Sequence, residues 1–219
     1  MKRLINKLQR SLCRALPIML SALLILGSFP VFAVPTSAGD ENAQAYPDGA
    51  LLIGSEEELL AFVKTCSLDS YSKGLKVFLT QNITLHAADF SGIPYFAGEF
   101  DGGDHVIDGV SLAAGGSTRG FFRYVAQGAV VKNLTVRGVI CPQGTKATVG
   151  GIAADNRGTL LNCRFNGKIE GKSDVGGIAG INQSTGQIEN CAAWGTVTGE
   201  YRTGGICGEN LGTITDSTN

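Results

Sequence analysis

Three stretches of the chain superpose: VGGIAADNRGTLLNCRFNGKIEG from Val149, VGGIAGINQSTGQIENCAAWGTVTG from Val175 and TGGICGENLGTITDSTN from Thr203. Their starts lie 26 and 28 residues apart. Gly150-Gly151-Ile152 aligns with Gly176-Gly177-Ile178 and Gly204-Gly205-Ile206, and Asn156 aligns with Asn182 and Asn210. Cys207 stands where Ala153 and Ala179 stand, and Asn162-Cys163 matches Asn190-Cys191. In the third copy Asp216-Ser217 takes that place, and Asn133-Leu134 fits it one unit earlier. Gly138, Gly167 and Gly195 then align, as do Ile140, Ile169 and Val197. The second copy is longer because Gln183-Ser184-Thr185 replaces Arg157 before the next glycine, which places the extra residues in an external turn.

Within each unit the apolar pattern has period two. Cys163, Phe165 and Ile169 alternate with Arg164, Asn166 and Lys168, and Cys191, Ala193 and Val197 alternate with Thr196 and Thr198. Strands this short cannot bury an apolar face alone. Stacked at about 4.8 Å, each pairs with its equivalents above and below and all share one core. The pattern predicts a β-solenoid with three short strands per turn. Its corners fall at glycine and asparagine, which tolerate left-handed backbone angles. Cys163 and Cys191 are then inward neighbours on adjacent coils, small apolar fillers or a disulfide pair.

Upstream, Ser55 to Val63 (SEEELLAFV) carries a capping-box pair, Ser55 and Glu58. Leu59, Phe62 and Val63 form one apolar stripe. This predicts a helix over 55–66 lying across the open end of the solenoid. Early coils are expected over 75–148, repeats over 149–174, 175–202 and 203–219, and a polar linker over 34–52.

The first 33 residues have a different character. Lys2, Arg3, Lys7, Arg10 and Arg14 precede the apolar run Ala15 to Phe29, and Val31-Phe32-Ala33 offers small residues for cleavage. This is the pattern of a secretory signal peptide, so contact with a membrane is expected only through that segment. Its removal takes five of the 18 basic residues and none of the 19 acidic ones, leaving 13 against 19, a net charge of −6. An exported acidic chain with no basic patch is not a nucleic-acid binder. Five cysteines remain, without a C-x-x-C pair, which signals neither a disulfide framework nor a zinc site.

The repeats resemble those of the GLUG-motif proteins, named for a Gly-Leu-any-Gly core. Here that core is Gly177-Ile178-Ala179-Gly180 and Gly205-Ile206-Cys207-Gly208, with Ile for Leu; the first copy has Ala154 for the last glycine. The segment FDGGDHVIDGVSL, Phe100 to Leu112, is similar to one that often precedes such repeats, with Asp104 where glycine is usual. The resemblance covers roughly Ile53 to Asn219. It implies an all-β fold, a right-handed parallel β-helix, and a secreted or cell-surface setting in bacteria. Some relatives are adhesin-like and some carry an immunoglobulin-A metalloprotease domain elsewhere in the chain. The resemblance supplies no catalytic residue.

The residues themselves show no catalytic constellation, and no cofactor or metal is expected. Neither His86 nor His105 belongs to an H-E-x-x-H. Asp101, Asp104 and Asp108 surround His105 in sequence but lack the spacing of a calcium loop. Asp155, Glu209 and Asp216 do not form an aligned acid pair. Trp194, at an outward position, and Tyr201 are the candidate ligand contacts, with Tyr124 a third exposed aromatic. The chain is expected to be a structural or adhesive module that binds a glycan or an extracellular protein. The rival is a carbohydrate-active enzyme, a polysaccharide lyase or hydrolase, on the same fold. Because the third repeat is incomplete, the chain is also expected to be the N-terminal part of a longer surface protein.

Overall fold

A computed structural model describes residues 45–67, 70–86, 90–143 and 148–219. The proposed signal peptide and most of the linker lie outside the described residues. Residues 45–219 form one compact unit. Its elements in chain order begin with β1 (Leu51–Ile53), α1 (Glu56–Thr65), β2 (Lys76–Leu79), β3 (Ile83–Thr84), β4 (Glu99–Asp101) and β5 (Val106–Leu112). A regular coil follows: β6 (Thr118–Arg119), β7 (Phe122–Val125), β8 (Val130–Lys132) and β9 (Thr135–Ile140). The next is β10 (Thr148–Gly150), β11 (Ala153–Asn156), β12 (Thr159–Leu161) and β13 (Arg164–Glu170). Then come β14 (Asp174–Gly176), β15 (Ala179–Asn182), β16 (Gln187–Glu189) and β17 (Ala192–Thr198). The last described strands are β18 (Arg202–Gly204), β19 (Cys207–Asn210) and β20 (Thr213–Thr215).

Strands at the same place in successive coils pair in parallel, giving four sheets that run along the axis. One is seven-stranded, in the order β1-β2-β4-β8-β12-β16-β20. A five-stranded sheet contains β3, β5, β9, β13 and β17. Two four-stranded sheets hold β6-β10-β14-β18 and β7-β11-β15-β19. The fold is a parallel β-solenoid, as the repeats predict. The aligned positions are true partners: Gly150 with Gly176, Gly176 with Gly204, Ala179 with Cys207, Asn156 with Asn182, and Gly167 with both Gly138 and Gly195.

The coil differs from expectation in having four strands rather than three. The extra corner lies at Gly151-Ile152, between β10 and β11. There Ile152 points into the core, fully buried, and the backbone N–H groups of Ile152 and Ala153 both donate to the Ile178 carbonyl at 3.0 Å. A Cβ on Gly151 would overlap both the Phe165 ring and the Gly177 carbonyl oxygen. The glycine pair thus splits what the alternation suggests is one strand. A second difference is at the linker: Leu51 and Leu52 already belong to β1 and pair with Val77 and Phe78.

Helix α1 closes the N-terminal end. Ser55 is its N-cap, and the Ser55 side chain accepts from the Glu58 N–H at 3.2 Å. Glu58 reaches back one residue further than a standard capping box, accepting from the Gly54 N–H at 2.7 Å. Leu59, Phe62 and Val63 are buried on the first coils. The Phe62 ring lies 6.3 Å from those of both Phe96 and Phe100. Phe122 stands 5.4 Å from each of the same two rings and 5.2 Å from Phe121. This aromatic cluster fills the N-terminal half of the core. Further along, Ala153, Ala179, Cys163, Cys191 and Ala193 replace it with smaller groups.

Two asparagine ladders run the length of the repeats. Asn156 and Asn182 are fully buried, and each amide donates to the next coil: Asn156 to Asn182 Oδ1 at 2.8 Å, and Asn182 to Asn210 Oδ1 at 2.9 Å. The other ladder lines an outer corner, where Asn133, Asn162 and Asn190 have φ of 52°, 53° and 48°. Here donation runs the opposite way, from Asn190 to Asn162 at 2.7 Å, from Asn162 to Asn133 at 3.0 Å, and from Asn133 to Asp101 at 3.0 Å. An ionised carboxylate only accepts, so Asp101 sets the orientation of every amide above it.

Gly167, at φ +154°, has neighbours on both adjacent coils, and a Cβ there would overlap the Gly138 carbonyl oxygen. Gly128, at φ +80°, sits in a turn with open space where its Cβ would go. Gly167→Ala is expected to lower stability by about 3 kcal/mol or more, against about 1 kcal/mol for Gly128→Ala, because only the first adds overlap to an unfavourable backbone angle. Denaturant unfolding of both variants gives the comparison.

Candidate functional site

The chemistry-bearing side chains fall in three places. The first is the turn at His105. Asp104 takes a left-handed angle, φ 61°, which lets its N–H donate to the Asn133 carbonyl at 3.0 Å. Asp101 accepts from the Gly103 N–H at 2.9 Å and lies 3.4 Å from Lys132 Nζ, which also pairs with Glu99 at 2.6 Å. Asp108 accepts from the Gly109 N–H at 2.7 Å. The Asp101 and Asp108 carboxylates are thus committed to the local backbone and, for Asp101, to the outer ladder. Among the described residues, no group of three His, Cys, Asp or Glu side chains is placed to hold a metal ion.

The second place is the angle between the two four-stranded sheets. Tyr124, Asp155, Ile181 and Glu209 share one column of β7, β11, β15 and β19. Asp174 pairs with Arg202 in the facing sheet. Asp155 and Glu209 do stand in one column, separated by Ile181, and Asp174 is a third acid that the repeat alignment did not single out. Each carboxylate has a donor. Asp155 meets Arg157 Nε at 3.1 Å and accepts from Gln183 Nε2 at 2.8 Å. Arg202 Nε pairs with Asp174, and its Nη1 pairs with Glu209 at 2.7 Å. The Asp174 side chain is only 6% exposed, so Arg202 acts as the lid on a buried charge. Its bond to Asp174, ahead of the nearby acidic charges, raises the guanidinium pKa further. Tyr124 is half-buried here rather than exposed, and its hydroxyl lies 3.3 Å from Thr118 Oγ1.

The third place is the outer face of the five-stranded sheet. The alternation holds: Cys163, Phe165 and Ile169 are buried, while Arg164, Asn166 and Lys168 face out. In register across three strands stand Arg137, Asn166 and Trp194. Trp194 is 49% exposed and Val139 46% exposed. Tyr201, 75% exposed, follows β17 in the turn toward β18. The structure therefore brings Trp194 together with an amide and a guanidinium on one open face, and leaves Tyr201 beyond the edge of that sheet.

The cysteines are thiols among the described residues. The Cys163 backbone N–H donates to Cys191 Sγ at 3.4 Å, so these neighbours meet as a hydrogen-bonded pair rather than a disulfide. Burial drives the Cys163 thiol well above its ordinary range. It pushes Cys66 up to about 12 and Cys207 up to about 11. All three stay protonated at neutral pH, which fits the role of small apolar filler.

With this geometry in hand, three comparisons bear on the chain. The family model described as the GLUG motif matches residues 171–198, from the residue after β13 to the end of β17. No curated protein sequence matches the chain. Among solved structures, a "putative immunoglobulin A1 protease from Bacteroides ovatus" is similar, with a TM-score of 0.50 and 21% sequence identity. The match covers 77% of this chain and 63% of that one. At that identity the likeness is one of fold. The chain therefore carries a GLUG motif set in a parallel β-solenoid.

Two outcomes are expected. Arg202→Gln leaves Asp174 buried and uncompensated, so it should lower the unfolding midpoint more than the double variant Asp174→Asn/Arg202→Gln, as a double-mutant cycle would read. In the native protein at pH 8, a thiol reagent should label Cys141, half-buried, well before Cys66 and Cys163, which should react only as the chain unfolds; peptide mapping by mass spectrometry resolves the order.

Proposed function

We propose that the chain is an exported, adhesive β-helical module of a bacterial surface that binds a glycan through the outer face of its five-stranded sheet. The observation that carries this reading is the alignment of Trp194 with Asn166 and Arg137. An indole plate stacks on the apolar face of a sugar ring, and the flanking amide and guanidinium offer donors to its hydroxyls. The middle strand, β13, pairs along its length with both β9 and β17, so the three side chains are held at fixed spacing along the axis. Preorganisation of this kind lowers the ordering cost of binding. The basic, apolar-run N-terminus supplies the argument for export.

The paired acids bear on the rival reading. A glycosidase works with one carboxyl group as acid and another as base or nucleophile. Asp155, Asp174 and Glu209 are instead each held by an arginine, with Ile181 between the two that share a column. Their geometry supports a structural bracket between sheets.

A glycan array probed with the wild-type chain and with Trp194→Ala tests the proposal. Loss of one stacking aromatic is worth about 1 kcal/mol, so the variant should bind the same glycans about 5- to 10-fold more weakly, while Tyr201→Ala should have the smaller effect. Equal binding by wild type and Trp194→Ala would sink the assignment to this face. Polysaccharide cleavage by the wild type would favour the enzyme.

A further inference from the structure

Most basic side chains described above sit beside acids: Lys132 with Glu99 and Asp101, Arg157 with Asp155, Arg202 with Asp174 and Glu209. Arg119 and Arg123 differ: among the described residues they are the arginines that are not exposed, and neither sits beside an acid. Arg119 ends β6 and is only 9% exposed. Its guanidinium donates to carbonyl oxygens alone: Nε to Ala114 at 3.3 Å, Nη1 to Thr118 at 3.1 Å, and Nη2 to Gly115. Carbonyls solvate the group but do not neutralise it, and they leave further N–H groups on Nη1 and Nη2 unused. Arg123, in β7, is half-buried. Its Nε is wholly buried and has no hydrogen-bond partner. Neither arginine forms an ion pair among the described residues.

Arg119 ends β6 and Arg123 lies in β7, on either side of the Gly120-Phe121 corner. Burial first, and the charge of Arg123 second, make the Arg119 cation harder to keep than an ordinary arginine. Two adjacent guanidinium groups in a partly dry setting are costly unless something negative stands by them. Arg119 stands in the wall of a cavity of about 110 Å³. The hydroxyl-bearing Ser91 and Ser111 line it, with Phe90 and Leu112 closing the apolar side. The Arg123 backbone N–H donates to the Ile93 carbonyl at 2.8 Å, which ties that arginine to the same segment as Phe90 and Ser91.

We propose that the cavity walled by Arg119, its positive charge reinforced by that of Arg123, is a binding site for a small oxyanion. A carboxylate, sulfate or phosphate would accept from the spare guanidinium donors and the two serine hydroxyls, and would offset the paired positive charge. The volume admits one such group and little more. The oxyanion has two chemical sources, a free inorganic ion or the acidic substituent of a sugar. Ser111 and Leu112 lie on β5 of the same five-stranded sheet, three strands from Trp194 on β17, and the proposal does not depend on the glycan reading.

The test is thermal unfolding and calorimetric titration of the full chain with sulfate, phosphate and glucuronate at constant ionic strength, with chloride as reference. Saturable binding is expected for at least one of the three, at concentrations too low for general salting-out stabilisation. Arg123→Gln should raise its Kd several-fold by removing the second positive charge; Arg123 makes no side-chain hydrogen bond among the described residues, so this variant should fold. Arg119→Gln loosens the 113–117 loop as well and serves as a second variant. Saturation by inorganic ions alone identifies a free-ion site, whereas saturation by glucuronate as well identifies an acidic-sugar site; both support the oxyanion chemistry. No saturable binding, or equal affinity in wild type and Arg123→Gln, overturns the proposal.

Discussion

Parallel strand stacking at about 4.8 Å governs this molecule, because it sets each residue directly against its own equivalent. A side chain that suits one coil must suit the coil above and below. Where the backbones approach most closely, the column must be glycine: Gly138, Gly167 and Gly195 each lack room for a Cβ because the carbonyl of the preceding coil occupies it. Where a polar group must be buried, like must satisfy like. Asparagine is suited to this because one amide end donates and the other accepts. Asn156 also donates to the Gly158 and Gln187 carbonyls, and its Oδ1 accepts from the Gly158 N–H, so the ladder meets the backbone needs of the corner at the same time.

That rule explains which parts of the fold were legible in the sequence. Columns are visible as repeats, so the solenoid, its register, the corner asparagines and the inward cysteines could be read from alignment of the chain with itself. The N-terminal cap was visible from Ser55, Glu58 and the apolar stripe. The split at Gly151-Ile152 was not, because period-two alternation does not reveal a bend when both flanking strands keep their faces. Nor was the aromatic cluster. Phe96, Phe100, Phe121 and Phe122 come from coils too irregular to align, and only their packing on Phe62 shows that they form one unit.

The candidate sites divide along the same line. Trp194 could be read as outward from the alternation, and its neighbours Asn166 and Arg137 follow from the register. The acids of the sheet angle could not be judged that way. Asp174 and Arg202 occupy one column and Glu209 another, and only the fold of the corner brings them together. Arg119 and Arg123 are harder still. No pattern marks an arginine that has no ion pair among the described residues, since that is a property of the three-dimensional surroundings. Charge compensation thus had to be read from coordinates, while stacking could be read from letters.

The two asparagine ladders are opposed arrays of amide dipoles, one with its NH₂ groups toward the N-terminal end and one toward the C-terminal end. Their fields oppose each other along the axis, so adding coils builds up little net polarity from the amides. Each unit also hands on the hydrogen-bonding boundary it receives: an amide that accepts on one side and donates on the other. Duplication or loss of a whole repeat would therefore leave both asparagine ladders chemically unchanged, and length becomes a quantity that evolution can adjust in integer steps.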